Sequence, residues 1–422
     1  MTIERLRPGR RGGLMMAAAV ATTLTAGAVR AETVGPVTDP LGVVKIAKGQ
    51  PILIGGYSSQ SGGDTNQGID ELRGAELAIK DKGDIKGFKV KLVGEDAQCT
   101  AEGGQTAATK LAGNKQILAV VGPSCSSGAR VGAPILWNVG IPSIGIGATA
   151  PALTAEDRPD GFKGFVRVVP NDLVSAEFSV KYALDKMGAK TAATIHDGSP
   201  YTEQLARAFE KYFTAGGGKV LSSEAIAPTD TDMRPVLTRI ATNAPDVIFM
   251  PVFTSATGFL LRQKGEIPGL AKTSLLGGEG VFSANVIEAA GPSVVGFPIV
   301  GASSDEFSDR FQPFLEAFQE DYGEAPIGGF SAYGYDATLL SLTALEKVAV
   351  ADGDGNLYVG RKALADAIAS TKDLPALTGT LTCKSNGDCG AATYAIWEFV
   401  SADPSSFAPG SKSDSNPKKI YP

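Results

Sequence analysis

From residue 50 onward the chain alternates short apolar runs with amphipathic stretches. The runs Pro51–Gly55, Lys89–Gly94, Ile117–Gly122 and Ile141–Gly145 read as strands, as do Thr191–His196, Val220–Ile226, Val247–Pro251, Ser274–Gly277 and Val295–Gly301. Near-continuous apolar runs of this kind suit strands buried on both faces of a parallel sheet. Between them, apolar residues recur at helical spacing. Leu72, Ala75, Ala78 and Ile79 predict a helix over Glu71–Lys82, and Leu205, Phe209 and Phe213 predict one over Thr202–Ala215. Phe311, Phe314, Leu315 and Phe318 predict a third over Asp309–Tyr322, and Ala337, Leu340, Leu345 and Val348 a long fourth ending near Ala349. Strands alternating with such helices build βαβ units, so the fold class is α/β with parallel sheets. The strands are too many for one comfortable sheet core, which predicts two lobes. Residues 166–172 and 296–304 read as connections between them. Thr378–Phe399 alternates instead and reads as a hairpin, and Ser401–Pro422, rich in Ser, Pro and Lys, reads as a loosely ordered tail.

Composition narrows the class. The 422 residues are 43% hydrophobic, enough for one large or two medium domains with real cores. A net charge of −6 with no basic stripe argues against a nucleic-acid partner. Residues 1–31 have the form of a cleaved secretory signal: Arg5, Arg7, Arg10 and Arg11, then a small and apolar stretch from Leu14 to Ala28. Cleavage after Ala28 or after Ala31 fits the pattern, and the stretch is shorter than the about 20 apolar residues a spanning helix needs. Export by the Sec or the twin-arginine route is left open by Arg10-Arg11. With no cysteine near the cleavage site, a lipid anchor is not expected, and the mature protein is expected in the periplasm. In an exported chain the four cysteines, Cys99, Cys125, Cys383 and Cys389, suggest two disulfides. Cys383 and Cys389 flank a turn sequence, Lys-Ser-Asn-Gly-Asp, which favours a local bridge and leaves Cys99 to Cys125. That second loop should contribute roughly 3–4 kcal/mol through chain entropy.

Several chemistries lack their residues. The chain has one histidine, His196, and no GxSxG, so a serine hydrolase is disfavoured and no enzyme activity is expected. There is no P-loop and no GxGxxG, hence no local support for a nucleotide cofactor. No metal is expected either. Asp352-Gly353-Asp354-Gly355-Asn356 starts like a calcium loop, but Leu357 and Ala363 stand where Gly and Glu are required, so it reads as a polar loop before a helix at Gly360–Thr371.

What remains is a set of small and polar residues at strand C-termini, where open parallel sheets bind ligands. These are Gly122–Gly128, Gly145–Thr149, Asp197–Tyr201, Phe253–Ser255 and Gly277–Gly280. Hydroxyls and free backbone N–H groups there can hold a carboxylate without an arginine, and Glu279 can hold an ammonium. The combination suits a zwitterion better than a phosphate.

The stretches "EDAQCTAEGGQTAATKLAG", "VVGPSCSSGA", "GIGATAPALT", "HDGSPYTEQLARAF" and "LLGGEGVF", in that order, resemble the branched-chain (leucine, isoleucine, valine) amino-acid binding proteins of ABC transporters, which are periplasmic binding proteins of type I. The resemblance runs from about residue 45 to 400. It implies two Rossmann-like lobes joined by three crossover strands, with the ligand between them and closure by a hinge. The expected division is 45–167 with 300–376 for the first lobe, 168–299 with 377–400 for the second, and 401–422 for the tail. Matched residue by residue, Ser126 and Thr149 would receive the ligand carboxylate, Gly147 would offer a carbonyl to the ammonium, Glu279 would bind the ammonium, and Tyr201 would cover the ligand from the second lobe. Cys99 and Cys125 match the family's disulfide. Two positions depart: Phe253 replaces an aromatic that usually carries a hydroxyl, and Gln67 stands where an aromatic often walls the side-chain pocket. The implied function is a monomeric solute-binding protein that captures an α-amino acid, branched-chain or similar, for an inner-membrane permease. The alternative is a binding protein or sensor of the same fold for amides, urea or short-chain carboxylates.

Overall fold

The computed structural model describes residues 31–304, 307–391, 393–409 and 413–422. The signal sequence read at residues 1–31 lies, except for Ala31, outside them. Three short strands come first: β1 (Glu32–Val34), β2 (Val37–Asp39) and β3 (Val43–Ile46). The first lobe then runs β4 (Ile52–Ser58), α1 (Thr65–Lys82), β5 (Val90–Asp96), α2 (Ala101–Gly113), β6 (Ile117–Val121), α3 (Ser126–Trp137), β7 (Ser143–Gly145) and β8 (Phe165–Arg167). Its five strands form one all-parallel sheet in the order β5-β4-β6-β7-β8.

The second lobe runs α4 (Asp172–Asp185), β9 (Thr191–His196), α5 (Pro200–Ala215), β10 (Lys219–Ala225), α6 (Arg234–Ala241), β11 (Val247–Met250), α7 (Thr254–Lys264), β12 (Ser274–Gly277), α8 (Ala284–Ala290) and β13 (Pro298–Ala302). The chain returns to the first lobe with α9 (Phe311–Tyr322), α10 (Ser331–Val348), β14 (Val350–Ala351), β15 (Leu357–Gly360) and α11 (Arg361–Ala369). It closes with β16 (Leu374–Pro375), β17 (Thr380–Leu381), β18 (Tyr394–Glu398) and β19 (Lys418–Tyr421). The second sheet is β10-β9-β11-β12-β13-β18-β19, parallel from β10 to β13, with β18 and β19 added antiparallel at one edge. The chain therefore passes between the sheets three times, after β8, after β13 and before β18.

Burial explains the apolar runs. All five residues of β6, all four of β11 and all five of β13 are buried. Helix starts follow capping chemistry: Thr100, Asn171 and Ser199 accept the N–H groups of Gly103, Leu173 and Thr202, each such cap worth about 1 kcal/mol. The helix expected from Glu71 begins a turn and a half earlier, at Thr65, because Gly68 and Asp70 are buried there as well.

Two expectations fail. Thr378–Phe399 is not one hairpin: β17 pairs with β16, whereas β18 pairs with β13. The alternating pattern is that of a strand joining the second sheet, and only the disulfide loop itself turns back, with the Thr382 N–H donating to the Cys389 carbonyl. The C-terminal residues are not loose either. Lys418–Tyr421 form an edge strand on β18, and the Tyr421 ring packs 5.4 Å from Phe178 and from Tyr182. Both disulfides form as paired by the sequence, Cys99–Cys125 and Cys383–Cys389. The calcium-like fragment is the β14–β15 turn, in which Asp352 accepts from the Asp354 and Asn356 N–H groups and from the Asn356 and Tyr358 side chains.

Candidate functional site

The C-terminal ends of the two parallel sheets face each other across a cleft. One small cavity there, about 290 Å3 including its open mouth, is lined by Gln67, Ser124, Cys125, Ser126, Gly147, Thr149, Tyr201, Phe253, Glu279, Gly280 and Phe330. All seven residues singled out from the sequence thus lie around a single space. Hydrogen bonds between the lobes border it: Thr254 donates to Asp64 at 2.8 Å, Asn66 to Asn285 at 2.7 Å, and the Ala152 N–H to Gln204 at 3.0 Å. The lobes are therefore in a closed arrangement.

The first lobe supplies its part from two loops. After β6, Cys125 takes the N-cap position of α3 and Ser126 is its first helical residue. Ser126 does not cap α3; its hydroxyl accepts the Ala150 N–H at 3.1 Å and ties this loop to the next. The Cys99–Cys125 bridge pins the same loop to the start of α2. After β7, Gly147 passes so close to the first loop that a β-carbon on it would stand 2.4 Å from the Ser124 carbonyl oxygen. No other residue fits that crossing.

Behind Thr149 lies a group whose position in the sequence marks only a connection between lobes. Arg167, wholly buried at the end of β8, donates to the carbonyls of Ala148 (3.2 Å) and Ala150 (2.9 Å), to Thr154 (2.6 Å) and to Asp388 (2.7 Å). It holds the backbone on both sides of Thr149. Burial by itself would raise the Asp388 carboxyl, but Arg167 and the hydrogen bonds from Thr154 and Asn171 hold it below the usual range. Asp388 is carried by the Cys383–Cys389 loop, so both disulfides end up supporting the cleft.

The second lobe contributes aromatics and acid. Tyr201, in the first turn of α5, accepts the Gly280 N–H at 3.0 Å, and its ring centroid is 5.4 Å from that of Phe253. Glu279 follows β12 and is buried; its Oε1 has no hydrogen-bond partner among the described residues. Asp172, at the first turn of α4, is fully buried beside Thr149, to whose carbonyl its N–H donates at 3.2 Å. Neither Asp172 carboxylate oxygen, nor the Thr149 hydroxyl, nor the buried Tyr394 hydroxyl has a partner of good geometry among the described residues. Burial first, and Asp172 second, push the Glu279 carboxyl well above the carboxylate range, against the pull of the Tyr394 hydroxyl and of Arg167. Burial likewise raises Asp172, against the pull of Thr149 and Arg167. Two buried acids with orphaned oxygens disfavour their own ionisation, and a cation in the cleft beside Glu279 relieves that cost.

Asp172, Arg167, Tyr394 and Glu71 do not stand out in the sequence. Asp172 follows Asn171 at a helix start, where an acid is ordinary, and the others sit in strands or a helix face with no local motif. Larger cavities exist, one beside Lys264 and Glu398 and one between Phe282, Phe307 and Phe407, but none of the orphaned buried polar atoms among the described residues belongs to their linings.

Comparison with known proteins agrees with this geometry. The model of a periplasmic binding protein family matches residues 51–401. The Leu/Ile/Val/Thr-binding protein of Salmonella typhimurium is 31% identical over 307 residues, 72% of this chain and 82% of that protein. Among solved structures, a leucine binding protein from Thermotoga maritima superposes with a TM-score of 0.74 at 23% identity, covering 83% of this chain and 96% of the other. A solute binding protein from Rhodopseudomonas palustris in complex with benzoate superposes at 0.70 and 21% identity, covering 88% and 95%. At these identities the two structures share the fold. With five-sixths of its length matched by the family model and its cleft built between two α/β lobes, the chain belongs to the periplasmic binding protein family, as a substrate-binding protein of ABC transporters of the branched-chain amino-acid type.

Proposed function

We propose that the cleft binds an α-amino acid by its head group and that the protein delivers it, from the periplasm and as a monomer, to an ABC permease for import. The observation that carries this reading is the pairing of opposites. Hydroxyls and the N-terminus of α3 stand on the first-lobe side, where Ser126 and Thr149 receive a carboxylate. Glu279 stands opposite with an orphaned oxygen, where an ammonium is received together with the Gly147 carbonyl, and Asp172 lies buried behind Thr149. Tyr201 and Phe253 cover the ligand from the second lobe. A ligand with a carboxylate alone, such as the benzoate of the Rhodopseudomonas protein, would bring no cation to relieve the buried acids. The relatives named for leucine, isoleucine, valine and threonine are consistent with this reading.

Thermal-shift screening of the mature protein against the amino acids, simple amides, urea and benzoate tests it, since a ligand that binds only the folded state raises Tm. Stabilisation by at least one α-amino acid, and none by its des-amino analogue, is the expected result. Stabilisation by carboxylates or amides without an ammonium would overturn it.

A further inference from the structure

The head-group assignment gives no role to Gln67, Ser124, Cys125 and Phe330, which line the same cavity and are the part of its wall left for the rest of a ligand. Two of these residues are polar, and both lean on one buried acid. The Ser124 hydroxyl donates to Glu71 Oε2 and accepts the Ser59 N–H at 3.2 Å, so its hydrogen-bonding capacity is largely used inside the protein. Gln67, one turn before Glu71 on the same face of α1, approaches the same carboxyl with its side chain. Glu71 is wholly buried, and its Oε1 has no hydrogen-bond partner of good geometry among the described residues. That oxygen stands 3.1 Å from where a β-carbon on Gly147 would be, just behind a residue that lines the cleft. Burial raises the Glu71 carboxyl to about 8, with Ser124 and Gln67 opposing the rise.

A carboxamide has two ends. Whether Glu71 is ionised and accepts from the Gln67 NH2, or is protonated and donates to the Gln67 oxygen, the other end of the amide is left to the half-buried cleft wall. A bare aliphatic group placed there would strip water from that end and return nothing. A group that donates and accepts would satisfy it. The remaining walls, the Phe253 and Phe330 rings and the Cys125 sulfur, are apolar, and the cavity is small.

We propose that this end of the cleft recognises a short side chain bearing a hydroxyl or carboxamide in preference to a bare branched aliphatic one, with Gln67 as the specificity-determining residue and Glu71 as its positioning residue. The proposal rests on the α-amino-acid reading of the head-group end. Sites built around a hydrogen-bonding group discriminate strongly against isosteres that lack it, whereas apolar pockets discriminate weakly.

The test is calorimetry with two near-isosteric pairs, threonine against valine and asparagine against leucine, and with alanine as a head-group control. In the wild-type protein the polar member of at least one pair should bind about tenfold tighter or more. Gln67→Leu should abolish or reverse that ratio, whereas a general loss of structure would weaken both members of a pair alike and leave the ratio standing. Glu71→Gln should reduce the same ratio. Valine and leucine binding as tightly as their partners or tighter, or a ratio untouched by Gln67→Leu, would overturn the proposal and leave the head-group reading standing. Failure of every α-amino acid, alanine included, would overturn the head-group reading and this one with it.

Discussion

The two halves of the cleft are built on different principles. The first-lobe half is made of two neighbouring loops whose groups mostly satisfy one another: Ser126 holds Ala150, Gly147 rests on Ser124, and a disulfide and the buried Arg167 brace them from behind. The second-lobe half carries bulk and charge. Tyr201 and Phe253 form an aromatic cover, while Glu279 and Asp172 keep orphaned oxygens. A preorganised half costs little to reorder when a ligand arrives. A half that buries unrelieved acids gains most from a ligand that brings the matching charge, and that gain is available only when the lobes close. The contrast assigns reception to the first lobe and charge matching, coupled to closure, to the second.

The largest expected effect falls on the charged half. Glu279→Gln should weaken amino-acid binding by about 2–4 kcal/mol, read by calorimetry. It should also raise the Tm of the unliganded protein, because it removes an acid that burial penalises. A loss of affinity under about 1 kcal/mol would break the comparison.

The second effect is on pH dependence. Glu279 and Asp172 have raised pKa values in the unliganded protein, and an ammonium beside Glu279 lowers its value and, more weakly, that of Asp172, so binding releases protons. Affinity should therefore fall as pH is lowered from about 8 to about 5, by up to about tenfold per pH unit for each proton released. Titration enthalpies should vary with the ionisation enthalpy of the buffer, and Glu279→Gln should flatten both trends.

A smaller effect is expected in the receiving half, where the load is shared. Ser126→Ala should cost about 1–1.5 kcal/mol of binding, since the loss of one hydroxyl leaves the backbone donors in place. Asp388→Asn sharpens the same point from behind the site. It leaves Arg167 buried without its charge partner and should both lower Tm and weaken binding several-fold, by loosening the carbonyls that flank Thr149. The smallest change is Tyr201→Phe. It removes the acceptor of the Gly280 N–H and should cost about 0.5–1.5 kcal/mol, visible as faster ligand release.

Much of the frame is legible in the amino-acid sequence. Each of the nine apolar runs forms a strand of one of the two sheets; interior strands such as β6, β11 and β13 are apolar throughout because they are buried on both faces, while the edge strands β5 and β10 are only partly buried. The loops following them are legible as ligand-facing for the same topological reason. The layer behind them is not. Asp172 has the sequence context of an ordinary helix start, Arg167 lies in what reads as a lobe connection, and Asp388 sits in a disulfide loop distant in the chain from everything it touches. Tyr394 belongs to an alternating stretch that suggests a hairpin, whereas β18 is buried in the second sheet, since alternation does not report a strand's partner.

By itself, the sequence determined the α/β class, both disulfides and the loops that meet at the cleft, because these follow from local periodicity, turn chemistry and short-range order, while Gln67 was placed there by the family resemblance. Only the tertiary structure decided that Glu279 and Asp172 are companions, that Arg167 stands behind Thr149, and that Gln67 and Ser124 share Glu71. Burial and proximity between residues far apart in the chain set the charge state and the partners of a polar group, and no local pattern records them.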